Sequence, residues 1–248
     1  MNKKLPIQFA VGLIVLVALI IGGAFYFINT KTETNKNIRR GLGDIRLSQE
    51  EYNKYLKKEA VENKNEKVGF IGCSLTHNAV NGYIALGGEN FWIFDGPNSN
   101  FGGGCVSVWN NQLSNDPGDE KDYWGLFENL ILENPDTEKI WWETCGCADA
   151  EDMSYGDFVS VLDNIKKIAP NMDIYVSPSP LYNYDDPNIC ASGLTGIARN
   201  VGRMVNANKV LLGPILSPLS GFETRDACHA NEEGQAIWGQ DLIDFFDN

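Results

Sequence analysis

Apolar and polar positions divide the chain into two unlike parts. Residues 7–28 (IQFAVGLIVLVALIIGGAFYFI) carry no charge. As a helix they rise about 33 Å, enough to cross a bilayer core of roughly 30 Å. Lys3 and Lys4 precede the run. A cleaved signal peptide has a shorter apolar core and an A-x-A-like site, and no such site is evident. The expectation is an uncleaved transmembrane anchor over 1–30. A polar stalk, 31–65, follows. In it Ser48 and Glu51 make a capping-box signature, and Tyr52, Tyr55, Leu56 and Ala60 share one face of a short amphipathic helix.

Residues 66–248 form one head domain in which short apolar runs alternate with helical periodicity. KVGFIG (67–72), FWIF (91–94), KIWWETC (139–145), MDIYVS (172–177) and KVLLG (209–213) read as buried strands. The spacing predicts helices over 123–133, 154–169, 193–206 and 231–246, the last capped by Asn231 with Glu232 and Glu233 in its first turn. Strands alternating with helices predict an α/β fold with a five-stranded parallel sheet covered on both faces. Adjacent Trp141 and Trp142 then face opposite sides of the sheet, both in the core.

Charge is uneven. The head has 9 Lys and Arg against 27 Asp and Glu, a formal charge of −18. Residues 1–65 have 11 against 6, or +5. So acidic a head repels nucleic acid and anionic lipid surfaces; the same acidity also serves solubility. Lysines and arginines flank the apolar run on both sides, so the positive-inside count leaves orientation open. Six cysteines suit an oxidising compartment. The expected placement is therefore a single-pass protein of the cell membrane with an extracellular head.

In parallel sheets, chemistry sits at the carboxyl ends of the strands. The first strand runs into GCSLT, with Ser74 either the cap of a helix or a nucleophile. A serine hydroxyl needs a base to take its proton. The chain has two histidines, His77 and His229. His77 lies one helical turn after Ser74 and reads as a pocket wall or surface residue. His229 follows Asp226 by three residues, a spacing that lets a carboxylate hold one ring nitrogen and leave the other for Ser74.

GCSLT (72–76) after the first strand, and DACHAN (226–231) before a terminal amphipathic helix, together resemble the SGNH (GDSL-type) serine hydrolases. The resemblance spans the head and implies a flavodoxin-like three-layer α/β/α fold. It makes Ser74 the nucleophile, His229 the base and Asp226 its partner. It places an oxyanion hole at the Ser74 N–H and at Gly103 or Gly104 after the second strand. It implies no metal or cofactor. Two positions depart from the family pattern: Cys73 stands where aspartate is usual, and the third block reads Gly146–Cys147–Ala148–Asp149, where Ala148 replaces an oxyanion-donating asparagine. Asn98 and Asn100 are candidates to fill in.

Six cysteines allow fifteen pairings. A Cys190–Cys228 bridge would brace the histidine loop. Pairing of the first and third strands, as in flavodoxin-like order, would make Cys73–Cys147 or Cys73–Cys105 geometrically feasible. Cys145-x-Cys147 lacks the usual spacer of a metal site. The function expected is an anchored esterase that cleaves carboxylic esters, acetyl esters included, of carbohydrate or lipid through an acyl-serine. An acyltransferase of the same chemistry, and a weakly catalytic module binding glycan or protein, are the alternatives, the last suggested by Ala148.

Overall fold

The computed structural model describes residues 66–93, 104–114, 122–145, 153–182 and 194–247. The predicted anchor and stalk lie outside them. Among the described residues no helix is long and apolar enough to cross a membrane.

Among the described residues, four strands form one parallel sheet: β1 (Lys67–Ile71), β2 (Thr137–Thr144), β3 (Asp173–Pro178) and β4 (Leu211–Leu212), in the order β1-β2-β3-β4. The first predicted strand thus pairs with the third, in a register that sets Phe70 beside Trp141 and Ile71 beside Trp142. The predicted strand at 91–94 is described only to Ile93. It reaches β1 through one parallel bridge, Val68 to Phe91, with Val68 donating to the Asn90 carbonyl at 2.8 Å and Trp92 donating to that of Val68 at 3.1 Å.

The helices are α1 (Ser74–Ala85), α2 (Val106–Asn111), α3 (Tyr123–Glu133), α4 (Tyr155–Ile168), α5 (Leu194–Asn206) and α6 (Glu232–Phe246). The sheet is covered on both faces, as its largely apolar, buried strands require. Trp141 lies edge-on to Phe91, which also packs on Phe246 of α6, while Trp142 faces Phe158 of α4. Both tryptophans are fully buried, and Trp141 Nε1 donates to Ser177 Oγ at 2.8 Å. At the amino end of β2, buried Lys139 pairs with Glu66 at 2.6 Å.

What positions the site is the contact between α1 and α6. Each carries a glycine in its interior. A Cβ on Gly82 would come within 1.7 Å of the Gln235 carbonyl oxygen, and one on Gly239 within 2.2 Å of the Gly82 carbonyl carbon. The two backbones therefore touch. α1 starts at Ser74, and α6 starts three residues after His229. One close crossing thus ties together two ends that lie far apart in sequence.

Gly82→Ala and Gly239→Ala should each lower stability by about 1–3 kcal/mol through overpacking. Gly196→Ala in α5, where an added Cβ meets nothing within 4 Å, should instead stabilise by about 0.5–1 kcal/mol through helix propensity. Urea denaturation of the three variants checks both directions.

Candidate active site

The end of β1 is built for close approach. Gly72 follows it, and a Cβ there would lie 2.0 Å from Thr76 Oγ1 and 2.9 Å from the Glu143 carbonyl oxygen. The helix cap is Cys73, not Ser74. Cys73 has extended backbone, its Sγ accepts the Leu75 N–H at 3.3 Å, and Thr76 Oγ1 accepts the Cys73 N–H at 2.9 Å. This reciprocal cap leaves Ser74 as the first helical residue, its side chain exposed. Its N–H is among the first helical amides, which lack intrahelical acceptors.

Cys73 is bonded to Cys145, joining the ends of β1 and β2. This corrects the expected Cys73–Cys147 and Cys73–Cys105 pairings. The two strands are neighbours, and the Cα of Cys145, just after β2, stands 6.0 Å from that of Cys73. Cys105 and Cys228 are also disulfide-bonded; Cys147 and Cys190 lie outside the described residues. Cys73, Cys145 and Glu143 bring two sulfurs and a carboxyl oxygen within 4.8 Å of one another. With both sulfurs in a disulfide, they offer no thiolate to a metal.

His229 comes from a hairpin. Thr224 and Ala230 form an antiparallel bridge, and Arg225 donates to the His229 carbonyl at 2.9 Å. Between them Ala227 takes a φ of 61°, a left-handed conformation unusual for a residue with a Cβ. That turn folds Asp226 back on His229. Asp226 Oδ1 accepts the His229 N–H at 2.7 Å and the Cys228 N–H at 3.2 Å, and Oδ2 sits 2.7 Å from His229 Nδ1. Burial pushes the Asp226 carboxyl up, but the His229 backbone and ring and the Cys228 N–H outweigh it and hold the group below its ordinary range. A carboxylate only accepts, so Nδ1 carries the hydrogen. Nε2 is then left as an acceptor, and Ser74 Oγ lies 2.8 Å from it. Tyr182 braces the hairpin from the far side, donating from its hydroxyl to the Cys228 carbonyl at 2.7 Å.

His77 lies elsewhere. It stands edge-on to Phe70, ring centroids 5.9 Å apart, and burial pushes it down to about 4, so it is neutral near pH 7. Gly104 is not the free donor expected. Its N–H is spent on the Gly72 carbonyl at 3.1 Å, which also accepts Trp109 Nε1 at 3.0 Å. Gly103, Asn98, Asn100, Ala148 and Asp149 lie outside the described residues.

Beneath Ser74 lies a group that sequence reading placed only as part of a strand. Glu143, on β2, is fully buried, and its Oε2 accepts the Thr76 hydroxyl at 2.7 Å. Burial pushes this carboxyl up to about 8, against a smaller pull from Thr76, so it is a neutral acid near pH 7. The signal was a lone charged residue inside the apolar run IWWETC, since acids are almost never fully buried unless paired. A depression lined by Lys166, Asp173 and Lys209 lies at the amino-terminal edge of the sheet and shares no residue with this site.

No protein-family model and no curated protein matches the sequence. Among solved structures, a "putative GDSL-like lipase" from Parabacteroides merdae is similar at a TM-score of 0.43 and 12% identity, over 76% of this chain and 99% of that one. A "putative acylhydrolase" from Bacteroides fragilis is similar at 0.41 and 14%, over 78% of this chain and 91% of that one.

Glu143 also makes a stability prediction. Its folded-state pKa of about 8 lies above the unfolded value of 4.5. Its contribution is therefore most favourable below 4.5 and is lost as pH rises towards 8. Between those limits, the stability of Glu143→Gln relative to wild type should climb by about 1 kcal/mol per pH unit. Melting curves of both proteins across this window check the slope.

Proposed function

We propose that the protein is a serine esterase of the SGNH (GDSL-type) kind, anchored by residues 7–28 with its head outside the cell. The observation that carries this reading is the chain from Asp226 to His229 to Ser74, with links of 2.7 and 2.8 Å. A histidine held in one tautomer by a carboxylate, with its free nitrogen on an exposed serine hydroxyl, is the arrangement that general-base activation of a nucleophile requires.

In the reaction, Ser74 Oγ attacks the ester carbonyl while its proton passes to His229 Nε2. Asp226 stabilises the imidazolium that forms. The carbonyl oxygen becomes an oxyanion facing the Ser74 N–H, at the positive end of α1. Collapse breaks the carbon–oxygen bond of the ester, and the alcohol leaves with the proton from His229. Water then attacks the acyl-serine, His229 taking its proton, and the acid departs as Ser74 Oγ recovers its hydrogen. No step calls on a metal or cofactor.

The head's charge of −18 favours neutral or cationic substrates over anionic ones. Acetyl esters of a surface carbohydrate, or short lipid esters, fit an exposed serine and a membrane anchor. The disulfide-bonded cysteines support an oxidising location. A module that only binds glycan has no need of the hydrogen-bonded chain.

Turnover of p-nitrophenyl acetate by the wild type should fall by about 1,000-fold or more in Ser74→Ala and in His229→Ala. A fluorophosphonate should label one peptide, the one containing Ser74. Equal rates in all three proteins contradict the esterase reading, and so does loss of activity in His77→Ala but not in His229→Ala.

A further inference from the structure

Glu143 has no part in the reaction above, yet two routes join it to the residue before the nucleophile. One is a hydrogen-bond chain: the Thr76 hydroxyl donates to Glu143 Oε2 at 2.7 Å, and Thr76 Oγ1 accepts the Cys73 N–H at 2.9 Å. The other is covalent: the same Oε2 touches Cys145 Sγ at 2.7 Å, and Cys145 is bonded to Cys73. Glu143 Oε1 has no hydrogen-bond partner among the described residues. Buried polar atoms are rarely left so.

We propose that Glu143 is a positioning residue for the nucleophile: its carboxyl fixes Thr76 and the Cys73–Cys145 bridge, and through them the cap geometry that aims Ser74 Oγ at His229. The proposal rests on the serine-esterase reading.

The chemistry of the contacts calls for the neutral acid. A disulfide sulfur has no hydrogen to give, so in the 2.7 Å contact with Oε2 only a protonated carboxyl has a hydrogen to donate to Cys145 Sγ. The same oxygen accepts from Thr76. Ionised, the group loses its donation to sulfur and becomes a buried charge with an unpartnered oxygen, which is costly. Among the described residues, the titratable groups around it offer no compensation. Tyr182, on the segment after β3, is pushed up by burial and then by the charges of Glu143 and Asp226. Asp226, on the histidine hairpin, is itself an anion. Cys73 and Cys145 do not titrate, Ser177 beside Glu143 on β3 has no charge, and His77 on α1 is turned to Phe70. Relief comes by admitting water or parting the end of β2 from α1, and either releases Thr76 and the cap. The Ser74–His229 alignment is therefore a property of the protonated site, and it fails above a pH of about 8.

The test measures kcat/KM for p-nitrophenyl acetate, and the rate of Ser74 phosphonylation, from about pH 6 to about pH 10. It uses the full-length wild type, Glu143→Gln and Glu143→Ala. In the wild type both rates should fall by about tenfold per pH unit above about pH 8, the slope of one titrating group. Glu143→Gln keeps a neutral acceptor and donor, and it should abolish this alkaline limb. Glu143→Ala should lose about tenfold or more at pH 7, mainly in kcat, with Glu143→Gln recovering most of that loss. The same alkaline limb in Glu143→Gln as in wild type overturns the proposal, and so does a wild-type profile flat to pH 10. If Glu143→Ala does not fold, the glutamine profile decides. A wild type whose Ser74 is never phosphonylated overturns the esterase reading and the proposal with it. Phosphonylation of Ser74 without the predicted pH effects overturns the proposal alone.

Discussion

The backbone contact between α1 and α6 is the constraint on which the site depends. Ser74 and His229 are 155 residues apart in sequence. They meet because α1, which begins at Ser74, and α6, which begins just after His229, cross with no side chain between them at Gly82 and Gly239. Mid-helix glycine lowers helix propensity by roughly 1 kcal/mol. Here that loss is offset by an approach no larger residue permits. The hairpin before α6 then needs only a short reach to place Nε2 on the serine. Its strained Ala227 and the hydroxyl of Tyr182 fix that reach.

Two carboxyls flank Ser74, and their environments drive them apart. Asp226 lies near the surface and collects two backbone N–H groups and the His229 ring, so it stays an anion and can steady an imidazolium. Glu143 is sealed beneath the helix cap with a disulfide and one hydroxyl, so burial keeps it protonated. Divergent environments of this kind assign roles to acids in catalytic sites generally. Here the anion holds the His229 ring and the neutral acid holds Thr76 of the cap. Cys73 occupies the position where an aspartate is usual in the family its motif resembles. An aspartate there would add a third carboxyl to this corner, close to Glu143. A disulfide half instead gives the cap a covalent link to β2.

Much of this was legible in the sequence. Short apolar runs such as VGFI and IWW mark strands buried on both faces, and Asn231 with two following glutamates marks a helix start. The pairing of Ser74 with His229 followed from spacing and motif, because only two histidines exist and only one has an aspartate a tight turn away. The remainder depends on which atoms become neighbours after folding. Whether Cys73 meets Cys105, Cys145 or Cys147 is decided by the register of β1 on β2, which residue types do not encode. Gly104 looked like a donor by its place in a glycine run, but its N–H is committed to the Gly72 carbonyl. Glu143 was absorbed into a strand reading that registers polarity along the chain and not the seal around it. Helix α1 itself follows from a cap at Cys73, a residue type outside the usual capping set.

The account turns on Ser74, its own N–H and His229 forming one reactive geometry. A crystal structure of the protein phosphonylated by a fluorophosphonate measures all three at once. It should show phosphorus on Ser74 Oγ, a phosphoryl oxygen facing the Ser74 N–H, and His229 Nε2 within about 3 Å of Ser74 Oγ. Phosphorus on any other residue contradicts the account. So does a His229 ring standing more than about 6 Å from Ser74 Oγ, outside hydrogen-bond reach even through one water.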